Sequence, residues 1–153
     1  MPSTFHIFSE PKHTSVITPW DAIVGRYSRI IGYTSFGDFF VTDPPTSEHA
    51  LLLTLEGSVE ETGYDDTDAF VSTLLTVPDV VAHVLRPQLL EALTLRLGPL
   101  CKEEVYYPVP YPFIGGSGAP ETFEKGNVWV FASIAGQSRG SQIHEMRPLK
   151  KAV

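Results

Sequence analysis

The chain has 153 residues, of which 42% are apolar and 19% are charged, a balance typical of a globular protein. This length predicts one domain over residues 1–153, with a hydrophobic core of its own. No segment approaches the roughly 18–20 consecutive apolar residues of a membrane span, and no secretory signal is visible. A single cysteine, Cys101, excludes an internal disulfide, and together these features predict a cytoplasmic protein without membrane contact.

The charges are unevenly distributed along the chain. The formal net charge is −7, and no lysine or arginine lies between Arg29 and Arg86, although ten of the 18 acidic residues do. An acidic interval of this kind repels phosphate backbones, so we expect no direct binding to nucleic acid. The interval is either a solvated face that keeps the protein soluble or a surface that attracts a basic protein partner.

The N-terminal region predicts a short helix after a segment without a clear pattern. Residues 1–16 are expected to form either a flexible arm or an edge strand. Thr18 and Pro19 are typical of the N-cap and first helical position, and an acid follows in the first turn. The spacing of the apolar residues in this helix predicts an inward face made of Trp20, Ile23, Val24 and Tyr27.

The centre of the predicted fold is a β-hairpin at about residues 30–55. Residues 30–41 are rich in β-branched and aromatic side chains, which favour a pleated, half-buried surface. Within them, Gly37 predicts a turn or bulge with positive φ. A turn at residues 43–47 separates this run from a second apolar run at residues 50–55. We therefore expect these residues to form the middle of an antiparallel sheet.

Helices from about residue 68 to residue 97 are predicted to pack against this sheet, which gives an α+β fold. Residues 56–66 are expected to form a turn followed by an acidic loop, with Thr67 as the N-cap of the first helix. Gly98 is suited to end the last helix. The apolar stripes predict that Phe70, Leu74, Val84 and Leu93 are buried.

The C-terminal third predicts strands that are separated by proline and glycine. Residues 104–107 read as a strand, and three prolines then favour an extended loop before a turn at residues 113–118. Residues 127–131 are predicted to be a buried strand. A helical turn or a bulged strand would follow, and then a final strand at residues 143–147.

The sequence contains no recognisable catalytic or metal-binding pattern, which predicts a protein that is not an enzyme and carries no cofactor or metal. The glycine-rich run at residues 115–118 lacks the Gly-Lys-Ser/Thr ending of a phosphate-binding loop. One cysteine and five scattered histidines do not fit a structural zinc site. Cys101 would need an oriented base to act as a nucleophile, and the sequence identifies none.

Two groups of residues are candidates for contact with a protein partner. Exposed carboxylates could attract a basic protein, and tyrosines are common in interface hot spots, although such aromatic residues are more often part of a core. The candidate residues are Glu60, Glu61, Asp65, Asp66, Tyr106, Tyr107 and Tyr111.

Three motifs carry a resemblance to a known family. They are Ile-Gly-Tyr-Thr-Ser-Phe-Gly-Asp-Phe-Phe at residues 31–40, Phe-Ile-Gly-Gly at residues 113–116 and Ile-Ala-Gly-Gln at residues 134–137. Their order and spacing over residues 18–148 resemble the C-terminal domain of type VI secretion immunity proteins of the Tdi/Tsi kind. The resemblance implies a protein without catalytic residues that binds and neutralises a cognate DNase toxin inside the producing cell.

Three hypotheses of function remain at the level of sequence. The first is an immunity protein that occludes a cognate antibacterial toxin, most naturally a nuclease. The second is a cytosolic regulatory module that binds another protein and has no toxin partner. The third is a small enzyme that uses Cys101 or the aromatic, glycine-rich loop. A toxin gene beside the gene for this chain would favour the first hypothesis, and a metabolic neighbourhood would favour the second.

Overall fold

The computed structural model describes residues 2–139 and confirms the α+β class. A five-stranded antiparallel sheet has the order β1-β2-β3-β4-β5, so each strand pairs with its neighbours along the chain. A second sheet contains the antiparallel pair β6 and β7. The strands are β1 (Phe5–His13), β2 (Arg29–Thr34), β3 (Phe39–Thr42), β4 (His49–Leu53), β5 (Ser58–Glu61), β6 (Glu104–Pro108) and β7 (Phe123–Asn127).

The predicted hairpin at residues 30–55 contains three strands. The run at residues 30–41 folds back on itself between β2 and β3, where Thr34 Oγ1 accepts hydrogen bonds from the amides of Phe36 and Asp38. Gly37 lies in this turn with φ +82°, as expected, and a Cβ atom there would overlap the Phe131 ring. A second turn then leads from β3 to β4, so the sheet is a meander.

The two outer strands of the sheet are β1 and β5. The first shows that residues 5–13 form an edge strand and not a flexible arm, and the second was not predicted from the sequence. β1 is an edge strand paired with β2, with a register shift between Ile7 and Lys12. β5, the other edge, lies within residues 56–66, where the sequence predicts a turn and a loop. Glu60 and Glu61 have low intrinsic strand propensity, but four consecutive pairs with β4 outweigh it.

A short helical region connects β1 to β2. A 3₁₀ helix covers Thr14–Trp20, with a kink at Ile17, and continues into α1 (Asp21–Val24). Trp20, Val24 and Tyr27 are buried as predicted, whereas Ile23 is half-buried. The indole N–H of Trp20 donates a hydrogen bond to the carbonyl of Ala132, which fixes this region against the C-terminal part of the described chain.

The helical middle is confirmed, although it is more broken than expected. Asp66 is the N-cap in place of Thr67, because its carboxylate accepts a hydrogen bond from the Ala69 amide at 2.9 Å. Leu74 is half-buried and Leu75 is buried instead, since a 3₁₀ turn changes the helical phase. Phe70, Val84 and Leu93 are buried as predicted. The elements are α2 (Thr67–Ser72), a 3₁₀ turn (Leu74–Thr76), α3 (Pro78–Val80), a π-helical turn (Val81–Leu85) and α4 (Pro87–Leu97).

The C-terminal region contains one wrong prediction. β6 confirms the strand expected at residues 104–107, but the strand expected at residues 127–131 is absent. There β7 ends at Asn127, and residues 128–139 form a helix, α5. Asn127 Oδ1 accepts hydrogen bonds from the amides of Trp129 and Val130 and so caps this helix. Short 3₁₀ helices at Pro112–Ile114 and Pro120–Thr122 lie between β6 and β7, and the predicted strand at residues 143–147 falls outside the described residues.

The five-stranded sheet lies between two helical layers. One face packs with the 3₁₀ helix, α1 and α5 through residues such as Phe39 and Leu52, and the other packs with residues 67–85 through Phe40 and Leu51. Within residues 2–139, no single helix is long and apolar enough to cross a membrane; by length and composition alone, one helical pair, Thr67–Thr76 and Pro78–Leu97 with a 77° bend, meets that criterion together.

Candidate protein-binding site at the β5 edge

The free side of β5 is the feature around which the candidate site is built. Within the described residues, β5 pairs with β4 and with no other strand, so half of its backbone groups face outward. Directly opposed residues in an antiparallel pair point to the same face of the sheet. Glu60 is therefore on the face of Leu51, and Glu61 is on the face of Ala50.

Arg26 gathers three carboxylates beside this edge. Its guanidinium lies 2.8 Å from Asp43 Oδ2, 2.6 Å from Glu48 Oε2 and 3.5 Å from Glu61 Oε1. The hydrogen bonds to Glu48 and then to Asp43 raise the pKa of Arg26 above its usual value. Its positive charge is permanent and lies 4.6 Å from the centre of the Tyr27 ring. One cation thus connects two carboxylates of the β3–β4 turn with one of β5.

The four predicted acidic residues are all exposed along this side of the protein. Glu60 has no ion-pair partner in the part of the chain that the structure describes, whereas Glu61 shares Arg26. The segment that joins β5 to Asp65 is attached to β4, since the His49 amide donates to the Tyr64 carbonyl at 2.7 Å. The carboxylates after β5 are therefore presented by a segment that is hydrogen-bonded to the sheet.

The three predicted tyrosines are not part of the β5 edge. Tyr106 is fully buried on β6, and its hydroxyl donates to the carbonyl of Gly98. Tyr107 is half-buried and stacks on Phe131 with 5.4 Å between the ring centres. Tyr111 is 9% exposed and also packs against Phe131. These positions are typical of core residues, and contact of the tyrosines with a partner stays a prediction.

Asp38 is a second polar feature, at the turn between β2 and β3. Its Oδ1 accepts hydrogen bonds from the amide and the hydroxyl of Thr54, at 2.9 and 3.1 Å. Burial raises the pKa of this carboxyl to about 6, although the bonds from Thr54 and the charge of Arg86 act in the opposite direction. Asp38 therefore fixes the turn to the end of β4 and changes its protonation in mildly acidic solution.

Two cavities lie away from the β5 edge. One of about 670 Å³ opens beside the bend between α3 and α4, with Val81, Pro87 and Leu89 among its lining residues. Another of about 390 Å³ has Cys101 and His6 among its lining residues. In residues 2–139, no group of three or more histidine, cysteine, aspartate or glutamate side chains is placed to hold a metal ion.

Neither the role of Arg26 nor the strand character of β5 was predicted from the sequence. The contacts of Arg26 with residues 43, 48 and 61 join positions far apart in the chain, and no local pattern connects them. One signal was present, because Arg26 is among the last cations before the long interval without lysine or arginine.

Comparison with known proteins shows a shared fold. No protein-family model and no curated protein matches the chain significantly. Among solved structures, it is similar to the crystal structure of Atu4351 from Agrobacterium tumefaciens, with a TM-score of 0.62 and 14% sequence identity, over 88% of this chain and 67% of that chain. At this level of identity the likeness shows the fold alone.

Proposed function

We propose that this chain is an immunity protein that binds and neutralises a cognate antibacterial toxin, a nuclease effector of a type VI secretion system. It acts in the cytoplasm, by occluding the toxin and not by catalysis. The single observation that supports this most is the acidic edge of the sheet at β5, which is unpaired within residues 2–139, exposes Glu60 and Glu61, and joins Glu61 through Arg26 to the half-buried Glu48 and the buried Asp43. The motifs at residues 31–40, 113–116 and 134–137 supply the resemblance to immunity proteins.

The charges at this edge complement the surface that a nuclease needs. A nuclease holds phosphate backbones with lysine and arginine, so its DNA-binding surface is cationic. The exposed carboxylates on β5 or directly after it are those of Glu60, Glu61, Asp65 and Asp66. Arg26 joins Glu61 to Glu48 and to the buried Asp43, and the buried guanidinium of Arg139 lies at the turn before β5. Opposite charges of this kind accelerate encounter and select the partner, and occupation of the cationic surface would exclude DNA.

The first experiment tests inhibition directly. The proposal predicts a nuclease toxin encoded beside the gene for this chain; that protein is purified and incubated with plasmid DNA, alone and with increasing amounts of the chain. We expect cleavage to stop when the two proteins are present in stoichiometric amounts. A nuclease that stays fully active at saturating chain would overturn the proposal and would favour a regulatory module with another basic partner.

The second experiment tests the surface. Neutralising Glu60, Glu61, Asp65 and Asp66 to glutamine or asparagine should slow association with the nuclease and flatten its salt dependence, as measured by stopped-flow fluorescence. Asparagine at position 66 preserves the N-cap of α2, so thermal melts should change little.

A matched control variant has the same change in charge elsewhere. Its neutralised residues are exposed and lie outside the β5 site: Glu10, Asp79, Glu91 and Glu121. If this control slows association as much as the β5 variant does, the net charge of the protein matters and the β5 surface does not.

A further inference from the structure

The two edges of the five-stranded sheet differ in how well they could accept another strand. β1 contains Pro11, which has no N–H to donate, and its register shifts between Ile7 and Lys12. β5 has neither feature, because Ser58 to Glu61 pair with β4 without interruption. Regular edges without proline or bulges are the ones that pair with added strands.

The hydrogen-bonding pattern shows which groups of β5 face outward. The Thr62 amide, directly after β5, donates to the His49 carbonyl at 3.2 Å and so points toward β4. Successive amides in a strand point to opposite sides, so the amide of Glu60 also faces β4. The N–H and C=O groups of Val59 and Glu61 are the ones that face away from the sheet. They are a backbone template for a sixth strand.

The side chains of this edge select the chemistry of the added strand. A second copy of the chain paired through β5 would bring glutamates against glutamates, which is destabilising. A strand with lysine or arginine would instead place cations beside Glu60 on one face and beside Glu48 and Glu61 on the other. Arg26 already lies 3.5 Å from Glu61, whereas Glu60 has no ion-pair partner within residues 2–139. A cation on the added strand would therefore interact most strongly with Glu60.

We propose that β5 binds an extended basic strand of the partner protein, which adds a sixth strand to the sheet. Backbone hydrogen bonds to Val59 and Glu61 provide the attachment, and Glu60 provides the selection for a basic strand. The identification of that partner as the toxin rests on the proposed function. The binding of a basic strand as such rests on the geometry and charge of the edge.

The test uses the full chain and a capped peptide of alternating lysine and valine, with a glutamate–valine peptide as the charge-reversed probe. Fluorescence anisotropy should show binding of the lysine peptide alone. Amide hydrogen exchange should become slower at Val59 and Glu61 in the complex, and should be unchanged along β1. Protection that falls on β1, or no binding of the lysine peptide, would overturn the proposal.

Four variants separate the contribution of charge from that of the backbone. Glu60→Lys should weaken binding of the lysine peptide by about tenfold or more, whereas Glu91→Lys, with the same change in net charge on an exposed face of α4, should stay within about twofold. Glu61→Pro removes one outward amide and preserves the bonds to β4, so it should abolish binding, whereas Glu61→Gln should retain most of it. Equal losses in Glu60→Lys and Glu91→Lys would overturn the proposal. If Glu61→Pro does not fold, the hydrogen-exchange result decides.

The outcomes distinguish this inference from the proposed function. A chain that inhibits the nuclease but gives no protection at Val59 and Glu61 with the lysine peptide would refute strand addition alone. A chain that binds the peptide at β5 but leaves the nuclease active would refute the immunity role alone.

Discussion

The two edges of the five-stranded sheet avoid unwanted pairing in different ways. At the β1 edge, Phe8 stacks on Trp129 of α5 with 5.8 Å between ring centres, and the Lys12 ammonium lies 5.8 Å from the same indole. At the β5 edge, the protein presents carboxylates and one arginine. Aromatic cover and a broken register protect one edge, and charge protects the other. A basic partner would pair with the carboxylates of the β5 edge, and for this reason we propose that binding occurs at β5 and not at β1.

The first prediction concerns the support beneath the β5 half of the sheet, which Phe70 provides. Phe70 is fully buried and contacts the rings of Phe40 and His49, each at 5.1 Å between centres. Phe70→Ala should lower the free energy of unfolding by about 3–5 kcal/mol in urea denaturation, because it leaves a large cavity. Leu95→Ala is the control, since Leu95 is 84% exposed. A Phe70 variant as stable as this control would show that α2 does not support the sheet.

The second prediction concerns the aromatic cover of the β1 edge, which Trp129 provides. Trp129 is half-buried and stacks on both Phe8 and Phe39. Trp129→Ala should cost about 2–4 kcal/mol, less than Phe70→Ala because less surface is lost. Hydrogen exchange should accelerate along β1 and stay unchanged at β5. Uniform acceleration over both edges would mean that the sheet opens as one unit and that the two edges are not independent.

The sequence predicted the parts of this fold in which local pattern and tertiary packing agree. The aromatic and β-branched run at residues 30–41 forms strands, and the apolar stripes of residues 68–97 form helices. At residues 127–131 the local strand propensity and the tertiary packing favour different structures. Val128, Trp129 and Val130 have high strand propensity, but Val128, Phe131, Ala132 and Ala135 are buried at helical spacing and Asn127 is a helix cap.

The candidate site could be predicted only in part. The acidic character of residues 60–66 is visible in the sequence, but the strand that carries Glu60 and Glu61 depends on pairing with β4. The bridge made by Arg26 depends on a turn after α1 that brings residue 26 beside residues 43, 48 and 61. Long-range pairing of this kind leaves no periodic signal, so propensity alone predicts a loop.

A third prediction concerns the dependence of stability on pH. Asp38 connects the β2–β3 turn to Thr54 at the end of β4, next to β5. The folded pKa of Asp38 is raised from 3.8 to about 6 by burial. The protonated form is therefore favoured by folding, and this contribution is complete below pH 4 and lost as the pH rises through 6. Over this range it amounts to about 1–3 kcal/mol.

Asp38→Asn keeps an acceptor for Thr54 and cannot titrate. The difference in unfolding free energy between the asparagine variant and the wild type should shift in favour of the variant from pH 4 to pH 6.5, as measured by urea denaturation at each pH. Glu91→Gln, at an exposed position, should give a difference that varies little with pH. A difference between Asp38→Asn and wild type that is constant over this range would mean that Asp38 titrates normally.

The smallest effect on stability, and the sharpest test of the β5 edge, is expected from Glu60→Gln. Glu60 is exposed and has no ion-pair partner within residues 2–139, so the free energy of unfolding should stay within about 0.5 kcal/mol of wild type. Association with the lysine–valine peptide should nevertheless slow at low salt, because an unshielded carboxylate acts mainly on the association rate. Glu61→Gln should slow it less, since Arg26 at 3.5 Å already offsets part of the charge of Glu61. Stopped-flow measurements of both variants at low and high salt make the comparison. Equal slowing by the two substitutions would show that the Arg26 bridge does not shield Glu61, and the edge would then act as one uniform acidic surface.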